Sequence, residues 1–168
     1  VVHSKEDGSL ALIYHYNNEW HANTRGSFGL DAMQHQTFTW REGMCKALGI
    51  SNLNELDSKL DRGITYVCEF VSPWNKVVRR YENPQMYLLT AYAGKDELHH
   101  SKVDEIADSV FLRPMKYVFK SIDEIKDYLN ACGSNDPTFE GVVICDSAGR
   151  RWKIKSATYL ALHKLRGD

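Results

Sequence analysis

KEDGSL, residues 5–10, is the stretch on which the reading of this chain turns. A polar Lys-Glu-Asp-Gly run just ahead of the apolar "SLALIYHY" (9–16) is either a surface turn near an end or a reactive lysine on a tight loop before a strand. Lys-x-Asp-Gly by itself recurs by chance, so residues far away must decide. "EGVVI" (140–144) offers Glu140 at the mouth of an apolar strand, next to a glycine that permits close backbone approach. "KIK" (153–155) sets Lys153 and Lys155 two apart, so on a strand both ammonium groups leave one face. Paired lysines are costly in a core and unremarkable on an open face. Aimed into a pocket, they clamp an anion.

The surrounding pattern is that of a soluble α+β chain. It has 168 residues, 43% of them apolar, which is enough for one domain with a core. No apolar run approaches the roughly 20 residues of a membrane span, and no signal peptide is visible. A net charge of −1 excludes a generally basic nucleic-acid binder. The basic runs "NKVVRRY" (75–81) and "GRRWKIKS" (149–156) each read alone as solvated charge on a strand edge. Cys45, Cys68, Cys132 and Cys145 form no Cys-x-x-Cys pair, which points to a reducing, cytoplasmic setting. Cys68 and Cys145 lie in apolar runs, where a thiol packs as a small hydrophobe. His99-His100 has no partner at zinc spacing and reads as surface.

Along the chain, "SLALIYHY" and "EWHAN" (19–23) form a hairpin about Asn17-Asn18. "TRGSFG" (24–29) is a loop. Leu30 to Leu48 is helix-compatible with Gly49 as its stop, and "SNLNELDSKL" (51–60) starts a helix capped by Ser51 or Asn52. "GITYVCEFVSP" (63–73), "KVVRRY" (76–81) and "QMYLLTAYA" (85–93) read as strands. "SKVDEIADSV" (101–110) and "SIDEIKDYL" (121–129) are amphipathic helices, with Ser101 and Ser121 as caps and Asp104 and Glu124 three residues on. "FEGVVICD" and "RRWKIKS" make a hairpin across "SAG", and "ATYLALHKL" (157–165) closes as a helix. Helices interleave irregularly with hairpins, so antiparallel sheets flanked by helices are expected, in one domain over 1–168.

"KEDGSL", "TRGS", "EFVSPWNKVV", "EGVV" and "WKIKSATYLALH" stand in the order of the signature motifs of covalent nucleotidyltransferases. That superfamily holds ATP-dependent DNA and RNA ligases and capping guanylyltransferases. The wording is most similar to the phage tRNA-repair RNA ligases, the branch of the first RNA ligase of the T-even phages. The resemblance covers Ser4 to His163. It implies a ligase adenylation fold, ATP and Mg²⁺ or Mn²⁺ as cofactors, and RNA ends as substrates: a 5′-phosphate and a 3′-hydroxyl, in tRNA repair. Lys5 would take AMP from ATP as a lysyl-adenylate. A lysine amine, with an ordinary pKa of about 10.4, is almost wholly protonated near neutrality. A lysine nucleophile therefore needs nearby positive charge or loss of water. Lys153, Lys155 and a bound metal would supply it and steady the α-phosphate.

The resemblance gives further roles. Arg25 would contact ribose or phosphate, and Glu69 the ribose hydroxyls. Glu140 would hold the metal, Val143 would line the adenine pocket, and Tyr87 or its strand neighbours would stack on the base. Tyr159 would handle substrate RNA. Read singly, the same residues are ordinary: Glu69 a paired strand carboxylate, Arg25 a surface arginine, Val143 core, and Tyr159 a half-buried packing residue. Such ligases carry a nucleotide-binding segment upstream of the lysine and a helical domain downstream. This chain therefore reads as the core without either, a monomer in the cytoplasm, the host's if phage-encoded. A DNA ligase or capping enzyme is the alternative within the superfamily. Outside it stands a non-catalytic module that binds nucleotide or RNA. A helix after "KIK", where DNA ligases and capping enzymes continue into a β-barrel, favours the RNA branch.

Overall fold

The computed structural model describes residues 1–166. In chain order the strands are β1 (Val2–Lys5), β2 (Ser9–Tyr16), β3 (Glu19–Thr24), β4 (Ile64–Val71), β5 (Gln85–Ala93), β6 (Asp96–Glu97), β7 (Lys116–Tyr117), β8 (Gly141–Cys145) and β9 (Arg151–Lys155). The α-helices are α1 (Trp40–Leu48), α2 (His100–Val110), α3 (Ile122–Asn135) and α4 (Ala157–Leu165), with a 3₁₀ helix over Leu53–Ser58. The chain divides into two compact units. The first comprises Val1–Asp7, Val77–Arg80 and the chain from Pro114; the second comprises Gly8–Lys76 and Tyr81–Arg113.

The second unit is built on a five-stranded antiparallel sheet of order β3-β2-β4-β5-β6. Asn17 and Asn18 both take positive φ (49° and 67°), the two-residue turn that matches strand twist. Alternate residues of the sheet (Ile13, Tyr66, Phe70, Leu88) join Met33, Met44, Leu56 and Val103 in one apolar core. Cys68 lies fully buried within it, and burial pushes its thiol pKa up. Gly8 starts this unit with its Cα against β4: a Cβ there would run into the Phe70 carbonyl and come 2.8 Å from Val71 Cγ1. The glycine is required by packing on a strand.

Three expectations change here. The helix foreseen over Leu30–Leu48 begins only at Trp40. Thr39, extended at φ −78°, forms a capping box with Glu42, while the Trp40 and Arg41 N–H groups donate back to the Asp31 and Gly29 carbonyls. Gly49, at φ 69°, ends the helix as foreseen. His99 caps α2 in place of Ser101: its Nδ1 accepts from the Ser101 N–H, and the helix starts one residue earlier. The helix expected over 51–60 is a 3₁₀ helix over Leu53–Ser58, capped by Asn52.

The first unit is a four-stranded antiparallel sheet of order β7-β1-β8-β9, with α3 and α4 packed together. Val2, Val142, Ile144 and Ile154 form its apolar face, against Ile125, Leu129 and Phe139. Ser121 caps α3 and Ser156 caps α4, each accepting from a backbone N–H three residues on. Lys5, expected on a loop, is the last residue of β1 and sits opposite Gly141. "KVVRRY", expected as a strand, is none. The N–H groups of Val78 and Arg79 donate to Asp7 Oδ2, at 2.8 and 2.6 Å, so they find a side chain where a strand would find a neighbour. Among the described residues no helix is long and apolar enough to cross a membrane, and all four cysteines are free thiols.

Candidate active site

The face of the four-stranded sheet opposite α3 carries the polar residues. One row runs Lys5–Gly141–Lys155 across β1, β8 and β9; the next runs His3–Val143–Lys153. Cross-strand partners share a face, so Lys5, Lys153 and Lys155 leave the sheet on the same side. Glu140 immediately precedes β8 and is 4% exposed. Its Oε1 lies 2.6 Å from Lys5 Nζ and 3.5 Å from Lys155 Nζ. A carboxylate this buried is held by the two cations, and it holds them in turn. Gly141 is what lets them converge. Its φ is +149°, and a Cβ would run into the Ile154 carbonyl oxygen and lie 2.8 Å from Lys155 Cα. Only glycine permits that approach.

Val143 differs from its single-residue reading as core. Val142, fully buried, is the core residue; Val143 is half-buried on the lysine face. Lys153 is exposed, two residues outward from Lys155.

Sequence reasoning gave Asp7 no role, yet it is richly connected beside the lysine. It is 3% exposed, accepts from Val78 and Arg79 N–H, and accepts from the Tyr159 hydroxyl at 2.8 Å. Tyr159 is 2% exposed, with Lys155 Nζ 5.6 Å from its ring centre. Ser156 fixes the start of α4: its Oγ donates to the Phe139 carbonyl, and its N–H donates to the Glu140 carbonyl. Asp7 and Tyr159 thus tie the end of β1, the 77–80 segment and α4 into one framework around the Lys5–Glu140 pair. The only signal of this in the sequence was an aspartate two residues after a lysine; its partners lie 71, 72 and 152 positions away.

Arg25, Glu69 and Tyr87 belong to the other unit. Glu69 stands in a row with Leu10 and Tyr87, and its Oε1 accepts from the Gly8 N–H at 3.1 Å. Arg25 is exposed on the loop after β3.

The arrangement supplies an amine, a carboxylate against it, and two further cations on one sheet face. That is equipment for displacement at phosphorus. The fold agrees with it. An archaeal ATP-dependent RNA ligase superposes with a TM-score of 0.69 at 19% identity, over 95% of this chain and 43% of the other. A variant of the Naegleria gruberi RNA ligase, captured with ATP and manganese, gives 0.63 at 16%, over 97% and 51%. An assigned ATP-dependent DNA ligase of Aquifex aeolicus gives 0.65 at 16%, over 94% and 44%. The fold is therefore the nucleotidyltransferase fold of ATP-dependent ligases.

The family follows from sequence. The family described as RNA ligase matches residues 1–160, and the chain belongs to it. A protein of Autographa californica nuclear polyhedrosis virus, named as a bifunctional polynucleotide kinase/RNA ligase, is 29% identical over 96% of this chain. This chain spans about a quarter of that relative's length, 24%, and about half of the solved structures.

Proposed function

We propose that this chain is the adenylating core of an ATP-dependent RNA ligase. The observation that carries the reading is the Lys5–Glu140–Lys155 cluster, in a chain of the RNA ligase family. Lys5 Nζ attacks the α-phosphorus of ATP. The Lys5 ammonium first gives one proton to Glu140 Oε1, the carboxylate oxygen beside it; an N–P bond then forms, the P–O bond to pyrophosphate breaks, and the amine's second proton leaves with the pyrophosphate. AMP then moves to the 5′-phosphate of an RNA end, and a 3′-hydroxyl displaces it to seal the strand. Each step is an in-line displacement, so positioning and charge neutralisation supply most of the catalysis.

Lys153 and Lys155 take the phosphate oxygens as charge builds on them. Val143 lines the base pocket, Tyr87 stacks on the base, Glu69 accepts from the ribose hydroxyls, and Arg25 contacts ribose or phosphate. Tyr159, buried against Asp7, serves RNA handling by positioning rather than by touch. Among the described residues no three His, Cys, Asp or Glu side chains gather as a metal cage. The donor present is the single carboxylate of Glu140, and that suits Mg²⁺ or Mn²⁺, which bind one or two carboxylates together with substrate phosphates. Such an ion supplies Lewis-acid polarisation of the α-phosphate. The substrates are ATP and RNA ends, tRNA among them, and the setting is a monomer in the cytoplasm.

The test is incubation with ATP and Mg²⁺ followed by intact and peptide mass spectrometry. One AMP, on Lys5, is expected, and none in Lys5→Ala. An adduct that survives Lys5→Ala, or none on the unaltered chain even after long incubation, overturns the reading. The Aquifex aeolicus likeness favours a second reading, a DNA ligase. Sealing of nicked DNA in preference to RNA ends would establish it, and use of GTP in place of ATP would point to a capping enzyme.

A further inference from the structure

We propose that Arg41 is a positioning residue for nucleotide binding: its guanidinium clasps the two flanks of the 24–29 loop together and so holds Arg25 ready for ATP. This rests on the ligase reading, in which Arg25 contacts ribose or phosphate, and it adds what keeps that arginine in place. Arg41 lies in the first turn of α1, just ahead of Gly43, Met44 and Cys45, which are buried in the core of the unit. Its Nε donates to the Ala22 carbonyl at 3.0 Å and to the Phe28 carbonyl at 2.7 Å, and Nη2 donates to Asn23 Oδ1 at 3.4 Å. Its backbone N–H donates to the Gly29 carbonyl at 3.0 Å. Ala22 and Asn23 lie on β3 just before the loop, and Phe28 and Gly29 are its returning end. One side chain on a packed helix thus ties the outgoing strand to the returning chain.

The tip is closed by its own polar groups. The Thr24 N–H donates to the Ser27 carbonyl at 3.0 Å, the Thr24 and Ser27 hydroxyls lie 3.0 Å apart, and Ser27 Oγ accepts from the Gly29 N–H at 3.2 Å. Arg25 and Gly26 remain at the tip, both exposed, and a Cβ at Gly26 would meet nothing within 4 Å. A glycine in open space samples many backbone conformations. Without the clasp, Arg25 would be ordered only as the nucleotide arrives, at a cost in affinity. Apolar packing does not hold the loop: Phe28 is 68% exposed and contributes its carbonyl. Gly29 takes φ +75°, and a Cβ there would lie 2.6 Å from the Ala22 carbonyl oxygen and 3.0 Å from Arg41 Cγ. The returning chain therefore passes against the same carbonyl that the guanidinium holds.

The loop leaves β3 at the end of the sheet that carries Glu69. Thr24 pairs with Ala11, next to Leu10, and Leu10 pairs with Glu69. Arg25 thus enters the loop beside the row of the proposed ribose acceptor. The acceptors of the Arg41 side chain are all neutral oxygens, two carbonyls and an amide. The guanidinium is used here for its fork of donors, not for an ion pair, and a fork fixes geometry where a single donor would not.

The experiment measures the ATP dependence of AMP-adduct formation in Arg25→Ala, Arg41→Ala, Arg41→Lys and the Arg25→Ala/Arg41→Ala pair, with amide exchange followed in parallel. Arg41→Ala is expected to raise the half-saturating ATP concentration about three- to tenfold while the rate at saturation holds. Exchange at Thr24 and Gly29 speeds up, and the β4 amides keep their protection. Arg41→Lys keeps the charge without the fork and gives a similar shift. In the Arg25→Ala background, Arg41→Ala adds less than about twofold, because the clasp acts through Arg25. Effects that multiply in the pair would mean a structural role independent of Arg25, and full rescue by Arg41→Lys would mean that charge alone matters. Either result overturns the proposal, as does a lowered saturating rate at unchanged half-saturation, or unchanged loop exchange. Should Arg41→Ala fail to fold, Arg41→Lys carries the same comparison, alone and paired with Arg25→Ala. Absence of the AMP adduct on the unaltered protein is failure of the ligase reading, and it withdraws this proposal with it; an adduct with any of the overturning results withdraws this proposal alone.

Discussion

The two sheets each bury one face, and they differ in what the other face carries. In the five-stranded sheet the second face carries Leu12, Tyr14, Val67 and Tyr87, with Glu69 between Leu10 and Tyr87 and two further acids, Glu19 opposite Tyr16 and Glu97 opposite Tyr92. In the four-stranded sheet it is basic: Lys116, His3, Lys5, Lys153, Lys155 and Arg151 follow one another across four strands. Their cores differ in the opposite sense. The five-stranded sheet closes on a large cluster that includes Tyr66, Phe70, Leu88 and Met44, all nearly or wholly buried. The four-stranded sheet closes on Ile125, Leu129, Phe139 and Val142. The unit with the smaller core carries the buried ion pair and the buried Asp7. The lesson is that its stability leans on polar connections and on one glycine, whereas the other unit leans on apolar volume.

That contrast breaks most readily by truncating side chains. Phe70→Ala, in the larger core, is expected to cost about 3–5 kcal/mol, and Leu129→Ala, in the smaller one, about 2–3 kcal/mol. Chemical denaturation followed by amide exchange would show whether each loss stays within its own sheet. Equal losses spread over both sheets would dissolve the contrast. Glycine substitution comes next. Gly141→Ala must accommodate φ +149° and a Cβ in the Ile154 carbonyl, and is expected to cost about 2–4 kcal/mol. Gly94→Ala, at φ +63° with open space around it, should cost about 1 kcal/mol. Thermal melts of the two variants check the difference; similar shifts would show that the close approach at Gly141 is not what holds β8 to β9.

The smallest effect tests the polar connections. Tyr159→Phe keeps the packing and removes the hydrogen bond to a buried carboxylate, with an expected loss of about 1–2 kcal/mol. If Asp7 and Tyr159 position Lys5, AMP-adduct formation slows more than that stability loss alone would produce, with its ATP dependence unchanged. Unchanged adduct formation would leave Tyr159 a packing residue.

Much of this was legible in the chain. The β2–β3 and β8–β9 hairpins, α3, α4 and the stop at Gly49 follow from alternation, turn asparagines and caps, which are local. The meeting of Lys5 and Lys155 with Glu140 was foreshadowed by residue type and order, which survive without coordinates, while Lys153 stays exposed beside them on the same face. The misreadings have separate causes. "KVVRRY" has every local mark of a strand, but strands need partners, and Asp7 had taken its amides. The run 30–39 has helical spacing, but the Thr39 cap starts the helix later. β1 was missed because a strand of four residues carries little signal of its own.

The sequence by itself determined which side chains are available for phosphorus chemistry and that Lys153 and Lys155 share a face, because side chains two apart on an extended strand point the same way. Tertiary structure alone decided that Glu140 meets Lys5 across 135 residues, that Gly141 brings Lys155 beside them, and that Asp7 is the anchor. Those contacts depend on strand register and on the burial of charge, and both are set by pairing between segments that no local pattern connects.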